Sequence, residues 1–344
     1  MFTIIKPRLL AGFFIYGMIT SFKMIKVMKS FLLFIGLIFW SCEEVTEEVI
    51  LNNLWGEETN DLPEYYYASD VPSSQVDHVI EYYEIASATW GNYGPLEFWI
   101  VGTDSASAQE LDSLYCTTRI EKDNLLGNND FQYCINRGYN FIDYASQGGA
   151  GLNTRRNQYE EYSVFIITLA SKYPFPNESD YSVVTMHEYY HVYQHAHIFT
   201  LDENERANLM IRNPWWSEGG ANYMSELLYS QIEGVQSGYL KERMRWKMNE
   251  KSIFFSLGKR LEDIEYGEAN EATRFAFDLG AWFIAYLIHN VGIETYRVNF
   301  YDDLNKLGFE GSFIENFGRS SAEFLDDFHA FLNLSIEAQL DIIP

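Results

Sequence analysis

The chain has 344 residues, of which 47% are hydrophobic and 17% aromatic, and its formal net charge at pH 7 is −25. A chain of this length and apolar content can fold as one compact unit with a large core. The acidic balance argues against nucleic acid or an anionic membrane surface as a partner, because phosphate groups attract basic proteins.

Residues 1–41 contain basic residues and no acidic residue, and their apolar run at 30–40 has the length of a signal-peptide core. A small residue and Cys42 close this run and resemble the lipobox of bacterial lipoproteins. The resemblance implies a lipid on Cys42 that anchors the protein to a membrane in the cell envelope, outside the cytoplasm. The alternative is an uncleaved anchor helix. A further apolar stretch precedes the signal, so we expect translation to start at Met24 or Met28.

The next residues, 42–70, are acidic and weakly periodic, and we expect them to form a tether without fixed structure. Residues 71–178 are predicted to form a small α/β lobe. Its clearest elements are a helix and two strands, at 75–89, 96–101 and 162–169. The glycine-rich run 148–151 lacks the Lys-Ser/Thr of a phosphate loop, and we interpret it as a flexible loop at the rim of a cleft.

Cys116 and Cys134 are the only cysteines besides Cys42. In an oxidising compartment they can form a disulfide, which would stabilise the fold by about 3 kcal/mol. A metal site made from two isolated cysteines is the less favoured alternative.

The stretch 181–197, YSVVTMHEYYHVYQHAH, contains the pattern H-E-x-x-H. On a helix, a spacing of four places His187 and His191 on one face, where both imidazoles can bind one zinc ion. Glu188 flanks that face and can take a proton from a water that attacks a carbonyl. The same pattern also arises by chance or as a hydrogen-bonded pair in a core, and a zinc peptidase needs a third protein ligand.

His197 is the first candidate for that ligand, since it stands at the metzincin spacing H-E-x-x-H-x-x-G-x-x-H. The pattern needs a glycine that lets the chain turn back, and this chain has Gln194 there, a good helix former. A helix that continues through Gln194 puts His197 about 15 Å along the axis from His187, too far to share a metal. His195 fails for the same reason.

Glu218 is the second and favoured candidate. Pro214 suits the first turn of a helix, and the small residues at 219–221 would let this helix pack against the H-E-x-x-H helix. Asn222, one turn later, is a candidate for orienting a ligand histidine, and the alternative is a polar residue that faces solvent.

The region 179–344 is predicted to be mainly helical. Apolar residues at helical spacing in 272–289 indicate a core helix. Shorter helices are expected at 294–307, 312–317 and 322–334, with the run 318–321 capping the last one. The mixed-charge region 231–267 indicates helices joined by loops.

The linked motifs HEYYH and WWSEGGANY resemble the gluzincins of the MA clan of metallopeptidases and are most similar to the catalytic module of bacterial collagenases and related lipoproteins. The resemblance covers the chain from about residue 162 to the C-terminus. It implies an α+β, zincin-like fold of two lobes, a small N-terminal β-sheet lobe with helices and a mainly α-helical lobe. It also implies His187, His191 and Glu218 as zinc ligands, with Glu188 as general base. The strand before the zinc helix would border the cleft and pair with an extended substrate.

In gluzincins a downstream Tyr or His often stabilises the oxyanion. Tyr266 is the favoured residue here, and His289 is a poorer one because it ends a core helix. We therefore expect a zinc-dependent endopeptidase that acts on peptides or proteins. The alternatives are a zinc-binding or protein-binding surface lipoprotein without catalysis, and a metzincin-like peptidase that uses His197.

Overall fold

The computed structural model describes residues 55–123, 128–137, 140–156, 162–172, 181–265 and 270–344. The predicted leader 1–41, its Cys42 and Tyr266 lie outside these ranges. The strands are β1 (Glu57–Glu58), β2 (Glu64–Tyr67), β3 (Tyr93–Gly94), β4 (Leu96–Val101), β5 (Ala150–Arg155) and β6 (Val164–Ala170).

Helices make up most of the rest of the described chain. In the first part they are α1 (Ser73–Trp90), α2 (Ser105–Lys122), α3 (Asn128–Arg137) and α4 (Phe141–Gln147). They continue with α5 (Tyr181–Ala196), α6 (Glu203–Arg206), α7 (Pro214–Tyr229), α8 (Tyr239–Lys247), α9 (Lys251–Ser256), α10 (Asn270–Val291), α11 (Phe300–Phe317), α12 (Ser321–Phe331) and α13 (Ile336–Leu340). The prediction of an α+β fold whose C-terminal region is helical is confirmed.

The main sheet has the strand order β2-β4-β6-β5. β2, β4 and β6 are parallel to one another, and β5 is antiparallel to β6. Every residue of β4 and β6 is buried, which agrees with their apolar sequences LEFWIV and VFIITLA, because a parallel strand covered on both faces is apolar throughout. These strands and α1 confirm the elements predicted before residue 170 to within two residues.

The predicted tether is wrong for residues 55–70. β1 pairs with β3, and β2 extends the main sheet beside β4. Tyr65 and Tyr66 stack on their cross-strand partners Phe98 and Trp99, and Trp55 is buried against Phe165. The aromatic side chains of this acidic segment supply the apolar area that fixes it to the fold.

The predicted loop at 148–151 and the role given to the strand at 162–169 also need correction. β6 is paired on both sides, whereas β5, like β2, is a terminal strand of the sheet. Ala150 and Gly151 already belong to β5, and Gly149 is bonded through its backbone to Lys172 and Ala170. The glycines therefore start an edge strand instead of forming a free loop.

The predicted disulfide is confirmed. Cys116 on α2 is bonded to Cys134 on α3, and their Cα atoms are 5.7 Å apart. The bond joins two helices that follow β4 before the chain returns to the sheet.

The C-terminal helices follow the prediction. Gly308, with φ 71° and ψ 174°, breaks α11 into two helical segments, which agree with the separate helices predicted at 294–307 and 312–317. α12 begins at the predicted cap, because the Ser320 side chain accepts a hydrogen bond from the backbone N–H of Glu323.

The described residues pack as one unit around a continuous hydrophobic core. Fully buried aromatic side chains from the sheet and from the helices meet in it, among them Phe98, Trp99, Tyr189, Tyr190, Trp216 and Trp282. Across the described ranges, no helix taken singly has the length and apolar character needed to cross a membrane, and only the bent pair Arg274–Val291 and Thr295–Phe317 passes that test jointly.

Candidate metal centre

The H-E-x-x-H pattern lies on α5, which runs unbroken from Tyr181 to Ala196. No glycine or proline interrupts this sequence, so the helix continues through Gln194 as predicted. His187 and His191 therefore lie one turn apart on one face, and each residue is 8% exposed.

Glu218 lies on α7, whose first residue is the predicted proline. α7 packs between α5 and α10, and a different glycine permits each contact. A Cβ at Gly220 would lie 3.0 Å from the Gln194 side-chain nitrogen, and a Cβ at Gly219 would lie 2.4 Å from the backbone of Gly280. The prediction that small residues bring α7 against the zinc helix is thus correct for Gly220 and wrong for Gly219, which faces α10.

The three predicted ligands converge. The Nε2 atoms of His187 and His191 are 3.1 Å apart, and Glu218 Oε2 lies 3.1 Å from the His191 nitrogen and 3.4 Å from the His187 nitrogen. Ligand atoms about 2.0–2.1 Å from a tetrahedral zinc are about 3.3 Å from each other, so these residues fit the ion. They form the only such group of His, Cys, Asp or Glu side chains found in the described part of the chain.

The Glu218 carboxylate and the two imidazoles shift one another's pKa values. Burial alone would raise the pKa of Glu218, but the imidazoles of His191 and His187 hold that pKa well below its usual range. Burial alone would lower the pKa of His191, but the Glu218 carboxylate raises it to about 9. Burial lowers the pKa of His187. The carboxylate thus creates a negative potential at the point where the three ligand atoms meet.

Glu188 is buried beside this trio, with 6% of its surface exposed. Burial, with the charge of Glu188 adding to it, raises the pKa of Tyr144 on α4 to about 12, so this phenol stays protonated at neutral pH. The Tyr144 hydroxyl would lie 3.3 Å from a Cβ on Gly151 in β5. The charge of Glu188 thus contributes to the raised pKa values of both His191 and Tyr144. Nothing in the sequence distinguished Tyr144 among 25 tyrosines.

His197 lies outside the group, as the continued helix predicts. Its Nδ1 is 2.7 Å from the carbonyl oxygen of Tyr193, and its ring packs against Tyr93, Tyr193 and Tyr301. Burial lowers the pKa of His195 to about 3, and this side chain is also absent from the group. The metzincin arrangement is not formed.

Asn222 does not hold a ligand histidine. Its side chain donates to the carbonyl oxygen of Phe277, whose ring stacks on His187 at 6.0 Å between centroids. Gln194 makes the direct contact that sequence reasoning had missed, since its Oε1 lies 2.8 Å from Nδ1 of His191. Gln194 stands three positions after His191 on the same helix, and this spacing could have predicted the contact.

Of the two predicted oxyanion donors, only His289 lies in the described part of the chain. Tyr266 lies outside the described ranges, and His289 is exposed in the last turn of α10.

Comparisons with family models, with curated proteins and with solved structures give no match. The resemblance to gluzincins therefore rests on HEYYH and WWSEGGANY themselves. The function is inferred from the geometry of His187, His191, Glu218 and Glu188.

Proposed function

We propose that this chain is a zinc-dependent metallopeptidase of the gluzincin type, on a two-lobed zincin-like fold, and that it acts as an endopeptidase on peptides or proteins. The observation that carries the proposal is the convergence of three ligand atoms, 3.1–3.4 Å apart, from two separate helices. Two histidines and one glutamate are a ligand set that leaves a fourth position for water.

A zinc ion held by these residues would act as a Lewis acid and would lower the pKa of a coordinated water toward 7. Glu188 follows His187 directly, and in the proposed mechanism it accepts the proton of the attacking water and delivers it to the leaving amine. Tyr266 is proposed to donate to the oxyanion.

The substrate is proposed to bind along β5. This strand is one of the two terminal strands of the main sheet, and it packs beside α5. An extended peptide can add to such an edge through backbone hydrogen bonds. Compared with the sequence prediction, the substrate-pairing role moves from β6 to β5.

The proposed location is the cell envelope, with the chain held to a membrane through a lipid on Cys42. The disulfide between Cys116 and Cys134 supports a compartment outside the cytoplasm, because the cytoplasm keeps thiols reduced. The net charge of −25 supports a partner other than nucleic acid.

The test combines zinc analysis with cleavage of a mixed peptide library, read by mass spectrometry, for the wild type and Glu188→Gln. We expect about one zinc per chain in both proteins and cleavage only by the wild type. Glu233→Gln, which makes the same chemical change at an exposed position, is the matched control and should cleave normally. Zinc bound without any cleavage would favour the binding lipoprotein, and equal cleavage by Glu188→Gln would remove this residue from the mechanism.

A further inference from the structure

Gln194 links the two helices that carry the candidate ligands. The side chain is fully buried, and both ends of its amide are bonded. Oε1 lies 2.8 Å from Nδ1 of His191, and Nε2 donates to the carbonyl oxygen of Ser217 at 3.1 Å. Ser217 immediately precedes Glu218, so one side chain touches a ligand on α5 and the backbone next to the ligand on α7.

These contacts fix which atom of the amide faces the histidine. A backbone carbonyl only accepts hydrogen bonds, so the amide atom at Ser217 must be the NH₂ group, and the atom at His191 must be the oxygen. An amide oxygen also only accepts, so the proton of a neutral His191 sits on Nδ1. Its Nε2, the atom next to Glu218 Oε2, is then left with the lone pair that a metal needs.

The surrounding packing holds the amide in place. A Cβ on Gly220 would lie 3.0 Å from Gln194 Nε2 and 2.6 Å from the hydroxyl oxygen of Tyr296. α7 therefore approaches the amide closely at Gly220, and any side chain at this position would displace it.

We propose that Gln194 is a positioning residue, which sets the tautomer of His191 and keeps the α5 histidines in register with Glu218 for the metal. This inference rests on the proposed zinc site. It adds a role that H-E-x-x-H itself does not specify, at the position where Gln194 replaces the metzincin glycine.

Zinc affinity, measured by competition with a chromogenic chelator, tests the proposal in the full-length protein. Gln194→Leu should weaken zinc binding by about 10- to 100-fold, the usual cost of losing a hydrogen bond to a ligand histidine. It should also change the visible absorption of the Co²⁺-substituted protein. Gln194→Glu keeps an acceptor for the Nδ1 proton but sets a carboxylate oxygen against the Ser217 carbonyl, so it should recover only part of the affinity.

Gln339 provides the matched control, because it is a fully buried glutamine whose amide bonds a carbonyl on another element, that of Phe331. Gln339→Leu should leave zinc affinity and the Co²⁺ spectrum unchanged. Wild-type affinity and spectrum in Gln194→Leu would overturn this inference alone. A wild type that binds no zinc would overturn both this inference and the proposed function.

A measurement on the zinc-loaded wild type keeps the proposal testable if Gln194→Leu does not fold. Long-range ¹H–¹⁵N NMR of the histidine rings reports the tautomer of each imidazole. We expect His191 to carry its proton on Nδ1 with slow exchange. A proton on Nε2 of His191 would overturn the proposal.

Discussion

Lys247, at the end of α8, is a buried cation between α7 and α10, and its replacement tests the packing of these helices. The Lys247 side chain is 2% exposed. Its Nζ lies 3.2 Å from Oε1 of Glu226 on α7 and 3.4 Å from Oδ1 of Asp278 on α10. The perturbation is Lys247→Met, which keeps most of the volume and removes the charge.

The two carboxylates would respond differently. Glu226 keeps Arg243, whose Nε lies 3.1 Å away, whereas Asp278 loses its cation while its side chain stays 5% exposed. Breaking a buried ion pair on one side costs about 3–5 kcal/mol. We therefore expect Lys247→Met to lower the free energy of unfolding by about 3 kcal/mol or more at pH 7.5, with the exposed pairs of this chain worth far less.

The sign of the pH dependence follows from Asp278. Burial already raises the pKa of this carboxyl despite Lys247, and removal of the lysine raises it further. A carboxyl whose pKa in the folded state exceeds its unfolded value destabilises the fold as pH rises above the unfolded value. The loss caused by Lys247→Met should accordingly be smaller at pH 5 than at pH 7.5.

Urea denaturation at fixed zinc concentration, analysed by linear extrapolation, measures these free energies. The double variant Lys247→Met/Asp278→Asn removes the stranded charge and should recover about 2 kcal/mol of the loss. A single variant within about 1 kcal/mol of the wild type, or a double variant no more stable than the single one, would show that the unpaired charge of Asp278 is not costly.

Further predictions concern the packing of α7 and a half-buried carboxyl on α2 whose pKa is raised. Gly219→Ala puts a Cβ 2.4 Å from the backbone carbon of Gly280, so α7 and α10 must separate, and we expect a loss of about 3 kcal/mol or more in urea denaturation, together with weaker zinc binding. Burial, with Asp143 adding to it, raises the pKa of Asp112 to about 6, so the ionised carboxylate costs stability above the unfolded value near 4. Asp112→Asn keeps the acceptor for the backbone N–H of Phe141 and should raise the unfolding free energy by about 1 kcal/mol at pH 8, allowing for solvent screening, with the gain disappearing below about pH 4.

Local patterns predicted the helix that carries the histidines, because its continuation depends on the residues of the helix itself, Gln194 among them. The apolar sequences of β4 and β6 likewise predict buried strands, without knowledge of which strands pair with them. The disulfide was predictable because Cys116 and Cys134 are the only pair left once Cys42 is assigned to the lipid, and because the leader implies an oxidising compartment.

What the sequence could not supply depends on contacts between distant segments. Residues 55–70 looked like an acidic tether because their aromatic residues gain burial only when β4 lies beside them. Gly219 and Gly220 are adjacent, yet one faces α10 and the other α5, and only the placement of α7 decides which. The sequence predicted that a helix continuing through Gln194 carries His197 away from His187. The contact of Gln194 with Ser217, however, depends on how α5 and α7 pack against each other.

The most direct test of the metal centre is zinc K-edge X-ray absorption of the zinc-loaded protein. We expect two imidazoles and oxygen ligands at about 2.0–2.1 Å with no sulfur, and the loss of that spectrum in Glu218→Gln at equal zinc concentration. A spectrum with three imidazoles, with sulfur, or unchanged in Glu218→Gln would contradict this expectation.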